Sequence, residues 1–558
     1  MNRAELDSFF ARTPAAGRRR LGTVVGGSLS AGVQVKLETG DVLGGVIEDL
    51  AVGRYVVIEG LTGKRFFSLI TDIALGHANP ELVQAPPGEG DDFLREVYGD
   101  ELAYGTVTVS PMLVLDRDGQ EPKPVKTIPA HFAAVYEAQP EDVDAVFGGE
   151  DDTHFHVGTP LDMEEVKVNL DLKRFVERSS GVFGKSGTGK SFVTRTILSG
   201  VLKSEAAACL VFDMHNDYGW EVQNEHGAAF KGLRQLFGTD KVQVFTLDPD
   251  SSRARNSKFE GVLQIPYDQI DPEDVEMLAG ILGLSEVQTG ALFFLRRKLG
   301  RDWIRKLLSE GDEESGELTE ISESEMIQSG TLRAIQRKFE LFRRFGFLTE
   351  RAPANDVVAQ VFDLVSRGKS VVLEFGNYGN EMAAYVLVAN YLTRRVHKKY
   401  VEAKNAAIGK RGQGPKPLMI VIEEAHKFLD PAIAQHTIFG TIARELRKYN
   451  VTLLIVDQRP SGIDDEVMSQ IGTRVTCLLD NEADIRAVFS GVSGAGQLRQ
   501  VLARLDTRQQ ALILGHAVPM PVVVKTRPYD DAFYRAIGWQ DEPARREALK
   551  KGEDALWG

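Results

Sequence analysis

Gly184-Lys185-Ser186-Gly187-Thr188-Gly189-Lys190-Ser191 has the spacing G-x-x-x-x-G-K-[ST]. Glycines at these intervals let backbone N–H groups converge on phosphate oxygens, and a helix N-terminus behind them adds its partial positive charge. The spacing assigns Lys190 to the β- and γ-phosphates of a nucleoside triphosphate and the Ser191 hydroxyl to Mg²⁺. A nucleoside triphosphate with Mg²⁺ is therefore the expected ligand pair. Much farther along, the apolar run Leu418-Met419-Ile420-Val421-Ile422 ends in two carboxylates, Glu423 and Glu424, followed by Ala425 and His426. Two adjacent acids at the end of a buried run are costly without a cation to face them. Glu423 is expected beside the metal, and Glu424 is expected to act as the base for an attacking water. His426 does not complete a zinc spacing and is read as a packing or coupling residue. A second run ends Ile455-Val456-Asp457-Gln458, where Gln458 is placed to meet the γ-phosphate. Arg444 and Arg447, in a helical stretch between the two runs, are expected either to offset γ-phosphate charge across a subunit boundary or to form ordinary salt bridges.

Placing these groups requires specific elements. Ser180-Gly181-Val182-Phe183 is an apolar lead-in to the glycine loop, and Phe192–Leu198 has helical periodicity beyond it. From about residue 160, strand-like runs alternate with long helical stretches: Ala208–Asp213, Val242–Leu247, Ser370–Phe375, Leu418–Ile422, Thr452–Val456, Arg474–Leu479 and Ala511–Leu514. Runs that are apolar throughout point to a parallel sheet covered on both faces. Asp430-Pro431 is read as the cap and first residue of a helix. A helical insertion is expected over about 268–350. It carries basic residues at Arg296, Arg297, Lys298, Arg301, Arg305 and Lys306, then Arg333, Arg337, Lys338, Arg343 and Arg344. These form either a solvated face or a contact for DNA or a neighbouring subunit. The acidic stretch Ser309–Met326 between them is read as a solvated loop.

Ahead of this region, residues 18–83 read as short β-strands separated by glycine turns. They include Gly22–Gly26, Val33–Leu37, Gly45–Glu48 and Tyr55–Ile58, with further strands at Tyr104–Leu115 and Phe155–Gly158. Such a series suggests a small barrel used for docking. The predicted fold is thus α/β: a RecA-like P-loop ATPase core with an N-terminal small β-barrel and a helical insertion. The expected division is an N-terminal extension at 1–17, a barrel at 18–160, the ATPase at 161–528 and a tail at 529–558.

With 66 basic and 80 acidic residues the chain carries a net charge of −14. That excludes a protein coating nucleic acid over its whole surface, but not one holding DNA in a local channel. No apolar stretch is long enough to span a bilayer, and the N-terminus has no apolar signal region. The two cysteines, Cys209 and Cys477, sit in apolar runs and are expected as buried free thiols of a cytoplasmic protein.

Taken in order, these blocks resemble the HerA family of ring-forming DNA translocases, in the HerA–FtsK branch of P-loop ATPases. The matching pieces are Gly22–Val25, the P-loop, Val211–Tyr218, Ile422–His426, Arg444–Tyr449, Asp457–Ser461, Asp480–Asp484 and Pro521–Lys525. The resemblance implies a barrel that docks a partner nuclease, a homohexamer around double-stranded DNA, translocation driven by ATP hydrolysis, and a NurA-like nuclease partner in DNA-end resection and recombinational repair. Some relatives serve in anti-phage defence with other effectors, such as a sirtuin-like protein. An ATPase ring that scaffolds a defence complex is the alternative reading. Carried over by position, Gly184–Ser191 bind nucleotide, Glu423 and Glu424 complete the metal and water site, Gln458 senses the γ-phosphate, and Arg444 or Arg447 is the candidate finger. The family often has H-G-E-Y where this chain has His215-Asn216-Asp217-Tyr218.

Overall fold

The computed structural model describes residues 18–540, apart from 39–44, 79–85, 87, 89, 92–102, 116–121, 162, 224–226, 310–317, 319, 323–326, 352–355, 410–413, 436, 446–447, 493–494 and 507–508. Arg447, the 1–17 extension, most of the acidic stretch 309–326 and the tail from 541 onward lie outside the described residues. The chain divides into two compact units. One takes Met1–Asp171, Gly184–Gly189 and Thr473–Arg527; the other takes Leu172–Phe183, Lys190–Gly472 and Pro528–Gly558.

In the first unit, strands β1 (Arg20–Ser28), β2 (Gly32–Leu37), β3 (Tyr55–Glu59), β4 (Arg65–His77), β5 (Ala103–Leu115) and β6 (Ala134–Glu137) form an antiparallel sheet in the order β2-β1-β6-β3-β4-β5. Pairing of β2 with β5 closes it into a barrel. Alternation drives the closure: Val33, Val35 and Leu37 point inward while Gln34 and Lys36 face out. Bulges at Val24/Gly26 and Ile70/Asp72 supply the bends that a small barrel requires. Two expectations are corrected. Gly45–Glu48 is a short helix rather than a strand. His154–Pro160, which contains Phe155–Gly158, pairs with Val168–Asp171 and Val522–Thr526 outside the barrel. Local β-propensity does not reveal which sheet a strand joins.

The second unit contains β7 (Ser180–Phe183), β8 (Ala208–Asp213), β9 (Val242–Thr246), β10 (Ser370–Glu374), β11 (Leu418–Glu423) and β12 (Val451–Asp457). They lie parallel in the order β9-β10-β8-β11-β12-β7. Every residue of β7, β8, β10, β11 and β12 is buried, as the continuous apolar runs predict. Helices α1 (Lys190–Ser204), α5 (Met382–Ile408) and α6 (Ile438–Glu445) belong to this core.

The insertion between β9 and β10 is helical as expected, with α2 (Glu286–Leu299), α3 (Trp303–Leu308) and α4 (Ser329–Arg343). Much of its basic charge is paired internally. Arg296 meets Asp271 at 3.3 Å, Arg305 meets Asp302 at 3.6 Å, and Lys338 donates to Gln288 at 2.6 Å.

Candidate active site

The glycine loop follows β7 directly. Gly184, Gly187 and Gly189 have φ of 151°, 78° and 96°, a region that costs little only for residues without Cβ. At Gly184 a Cβ would also stand 2.8 Å from Cys477 Cβ and 2.9 Å from Thr188 Oγ1. Thr188 Oγ1 donates to the Lys185 carbonyl at 2.8 Å and staples the loop across itself. Helix α1 then begins at Lys190, so Lys190 and Ser191 occupy its first turn.

Four parallel strands of the core each end in an acid: Asp213 on β8, Glu374 on β10, Glu423 on β11 and Asp457 on β12. Their exposures are only 0%, 0%, 6% and 1%. A buried carboxylate persists only where its oxygens are satisfied. Asp213 accepts from the backbone N–H groups of Asp217, Tyr218 and Gly219 at 2.6, 2.8 and 3.0 Å. Glu374 accepts from Ser257 and from Arg255 at 2.9 and 3.0 Å. Asp457 accepts from the N–H groups of His426 and Arg459 at 2.7 and 2.6 Å.

Glu423 differs. Tyr218 Oη donates to its Oε1 at 2.9 Å, while its buried Oε2 has no partner among the described residues. Burial pushes its carboxyl up to about 7; Asp217 and Glu424 add to the shift, and the Tyr218 bond and Lys190 oppose it. Burial likewise raises Asp213, to about 8, with Glu374 and Asp217 contributing. The Tyr385 hydroxyl clamps the Glu423 backbone, donating to its carbonyl at 3.0 Å and accepting from its N–H at 2.9 Å.

Glu424 has φ 48° and ψ 44°, the left-handed region that a non-glycine residue enters at a cost. That turn sends the two adjacent glutamates in different directions. Gln458 Nε2 donates to Glu424 Oε1 at 3.2 Å, and His426 Nδ1 stands 3.7 Å from Oε2. Because β12 lies between β7 and β11, Gln458 follows the strand flanked by the P-loop strand and the carboxylate strand.

The structure thus brings Glu423, Glu424 and Gln458 together within the core. Arg444 instead donates to the Ala434 carbonyl at 3.0 Å and pairs with Glu466 at 3.9 Å. Asp430 does not start a helix: residues 431–435 are a turn, with Asp430 Oδ1 accepting from Ala432 N at 2.9 Å. The proline fixes a turn as readily as a helix start. Asp213, Tyr218, Tyr385 and the Asp457 clamp on His426 were not given roles from sequence. A legible signal existed for the acids, since Leu-Val-Phe-Asp, Val-Val-Leu-Glu, Ile-Val-Ile-Glu and Leu-Ile-Val-Asp each close an apolar run.

The residues present fit a Mg²⁺–nucleotide. The loop carries left-handed glycines, an ammonium and a hydroxyl open α1, and the buried Oε2 of the strand-end Glu423 has no partner among the described residues. Among the described residues no helix is long and apolar enough to cross a membrane.

Residues 155–396 match the family model described as Helicase HerA, central domain. A DNA double-strand break repair helicase HerA of Sulfolobus acidocaldarius is 25% identical over 527 residues, spanning 91% of this chain and 94% of that protein. One of the same name from Pyrococcus furiosus is 25% identical over 470 residues, spanning 77% of this chain and 79% of its own length. Among solved structures, VirB4 of Thermoanaerobacter pseudethanolicus aligns with 69% of this chain and 99% of its own, at 14% identity and a TM-score of 0.44. The central-domain match lies at the middle of the chain, and the two HerA helicases are similar to it over most of its length.

Proposed function

We propose that this protein is an ATP-driven translocase or helicase on double-stranded DNA. The observation that carries the hydrolytic part is the unmatched Oε2 of Glu423, set among three strand-end acids whose oxygens are all satisfied. In this reading Gly184–Ser191 hold the triphosphate, with Lys190 on the β- and γ-phosphates, and Ser191 and Glu423 hold Mg²⁺. The metal would offset phosphate charge as a Lewis acid. Glu424 takes the proton of the attacking water. Gln458 already holds its Oε1, which leaves Oε2 as the accepting atom. Arg444 or Arg447 is assigned to the charge developing in a neighbouring subunit's site.

The finer reading is a cytoplasmic homohexamer around duplex DNA. Its N-terminal barrel, with strands from Arg20 to Glu137, docks a NurA-like nuclease for end resection, and the ATPase region that follows acts as the motor. Names of the relatives support repair. The scaffold alternative gains nothing from them. DNA would be held through phosphates, so binding should be independent of sequence and weaken steeply with salt.

The test is ATP turnover by the full-length protein with and without duplex DNA. Wild type should hydrolyse ATP faster with DNA, and Lys190→Ala and Glu424→Gln should lose turnover while staying folded. No turnover by wild type under either condition would refute the hydrolytic reading.

A further inference from the structure

One loop touches both halves of the proposed hydrolytic centre. It runs from the end of β8 through His215-Asn216-Asp217-Tyr218-Gly219. Its backbone is fixed at one end by Asp213, whose carboxylate takes three of its N–H groups. At the middle, Asn216 has φ 59°, and its Oδ1 accepts from Gly376 N at 2.9 Å. Asparagine enters the left-handed region more readily than other residues with a Cβ, so Asn216 can hold this turn. Asp217 faces Arg195 of α1 at 3.8 Å, the helix that opens with Lys190 and Ser191. Arg195 is itself buried against the rings of Phe192 and Tyr529. Tyr218, fully buried, then delivers its hydroxyl to Glu423 Oε1.

We propose that Tyr218 is a positioning residue for the metal-facing carboxylate: by holding Glu423 Oε1 it fixes the plane of the carboxylate and leaves Oε2 as the one oxygen presented to Mg²⁺. The proposal rests on the reading of Glu423 as the metal-facing acid. Ligands held this way lose metal affinity when the outer hydrogen bond is removed, commonly by about 10- to 100-fold. The Asp213-anchored loop sets where the hydroxyl stands, and the Arg195–Asp217 contact ties that position to the helix carrying Lys190. Tyr385 grips only the Glu423 backbone and cannot set the carboxylate plane.

Tyr218→Phe removes the hydroxyl and keeps the ring. The full-length protein is loaded with a fluorescent methylanthraniloyl-ADP and titrated with Mg²⁺. The apparent Mg²⁺ dissociation constant should rise about tenfold, while nucleotide affinity without Mg²⁺ stays within about twofold, since that is set at the glycine loop. In a Glu423→Gln background the same substitution should produce no further shift, because its effect passes through the carboxylate. An unchanged Mg²⁺ constant, an equal shift in the Glu423→Gln background, or loss of nucleotide affinity in the absence of metal each overturns the proposal. Failure of the parent reading looks different: Glu423→Gln by itself would then leave the wild-type Mg²⁺ constant unchanged.

Discussion

Replacing Asp457 by asparagine tests the clamp that joins the ends of β11 and β12. The carboxylate accepts from His426 N at 2.7 Å and from Arg459 N at 2.6 Å, and it meets His426 Nδ1 at 3.0 Å. The ring nitrogen facing it must carry the proton, since the carboxylate offers none. Asparagine has one acceptor oxygen and one NH₂. Whichever way the amide turns, its NH₂ faces one of the two backbone N–H groups, and that donor is left buried without a partner. Such a group costs about 1–3 kcal/mol. The bonds that survive lose their charge assistance, about 1 kcal/mol each. The sum is about 3–5 kcal/mol, a melting temperature lower by roughly 5–10 °C. His426→Ala removes only the ring bond and leaves both backbone donors satisfied, so it should cost clearly less. The segment held here carries Glu424 and precedes Gln458, so kcat for ATP should fall with stability. Thermal melting and turnover of the full-length proteins are measured in parallel. If Asp457→Asn melts within a degree of wild type, or if His426→Ala is the more damaging of the two, the clamp reasoning is wrong.

His156 offers a pH test in the other compact unit. Burial, with Arg527 and Lys167 adding to it, pushes its imidazole down from 6.5 to about 4. The folded state therefore binds fewer protons than the unfolded state between those values, and stability rises with pH across that window. The contribution is fully present above about 6.5 and is lost as pH falls toward 4; partial exposure of the ring limits it to about 1–2 kcal/mol. His156→Gln should flatten the pH dependence of melting over that range, and an undiminished slope would contradict the assignment. Asn216 supplies a backbone test. Asn216→Gly and Asn216→Ala both lose the bond to Gly376 N, but only alanine pays the left-handed strain, about 1 kcal/mol. Equal melting temperatures for the two variants would show that the strain is absent.

The local grammar of the chain was legible because it is set by neighbours in sequence. The spacing from Gly184 to Ser191 forces a strand, a glycine turn and a helix start, and that is what stands there. The apolar runs ending at Asp213, Ile422 and Val456 became buried parallel strands because runs of that kind need cover on both faces. Misreadings came where two local outcomes are nearly equal in energy. Gly45–Glu48 has the branched residues of a strand yet closes into one helical turn, and Asp430-Pro431 begins a turn in place of a helix.

By itself, then, the sequence determined the chemistry available: a phosphate loop, a pair of glutamates, a glutamine, and apolar runs of which five stack as a parallel sheet, while those at 474–479 and 511–514 fall in the antiparallel strands Thr473–Thr476 and Gln510–Gly515. Tertiary structure alone decided which acids are structural. Asp213, Glu374, Glu423 and Asp457 are spread from position 213 to 457 and look alike as strand-end carboxylates in a buried sheet. What separates them is the set of groups that folding gathers around each, near in sequence for Asp213 and far for Glu374 and Glu423. Backbone N–H groups, serines and an arginine close around three, whereas a tyrosine 205 positions away closes one oxygen of Glu423 and leaves the other open. The satisfaction of a buried charge is a property of three-dimensional neighbours, and for Glu423 those neighbours lie far along the chain.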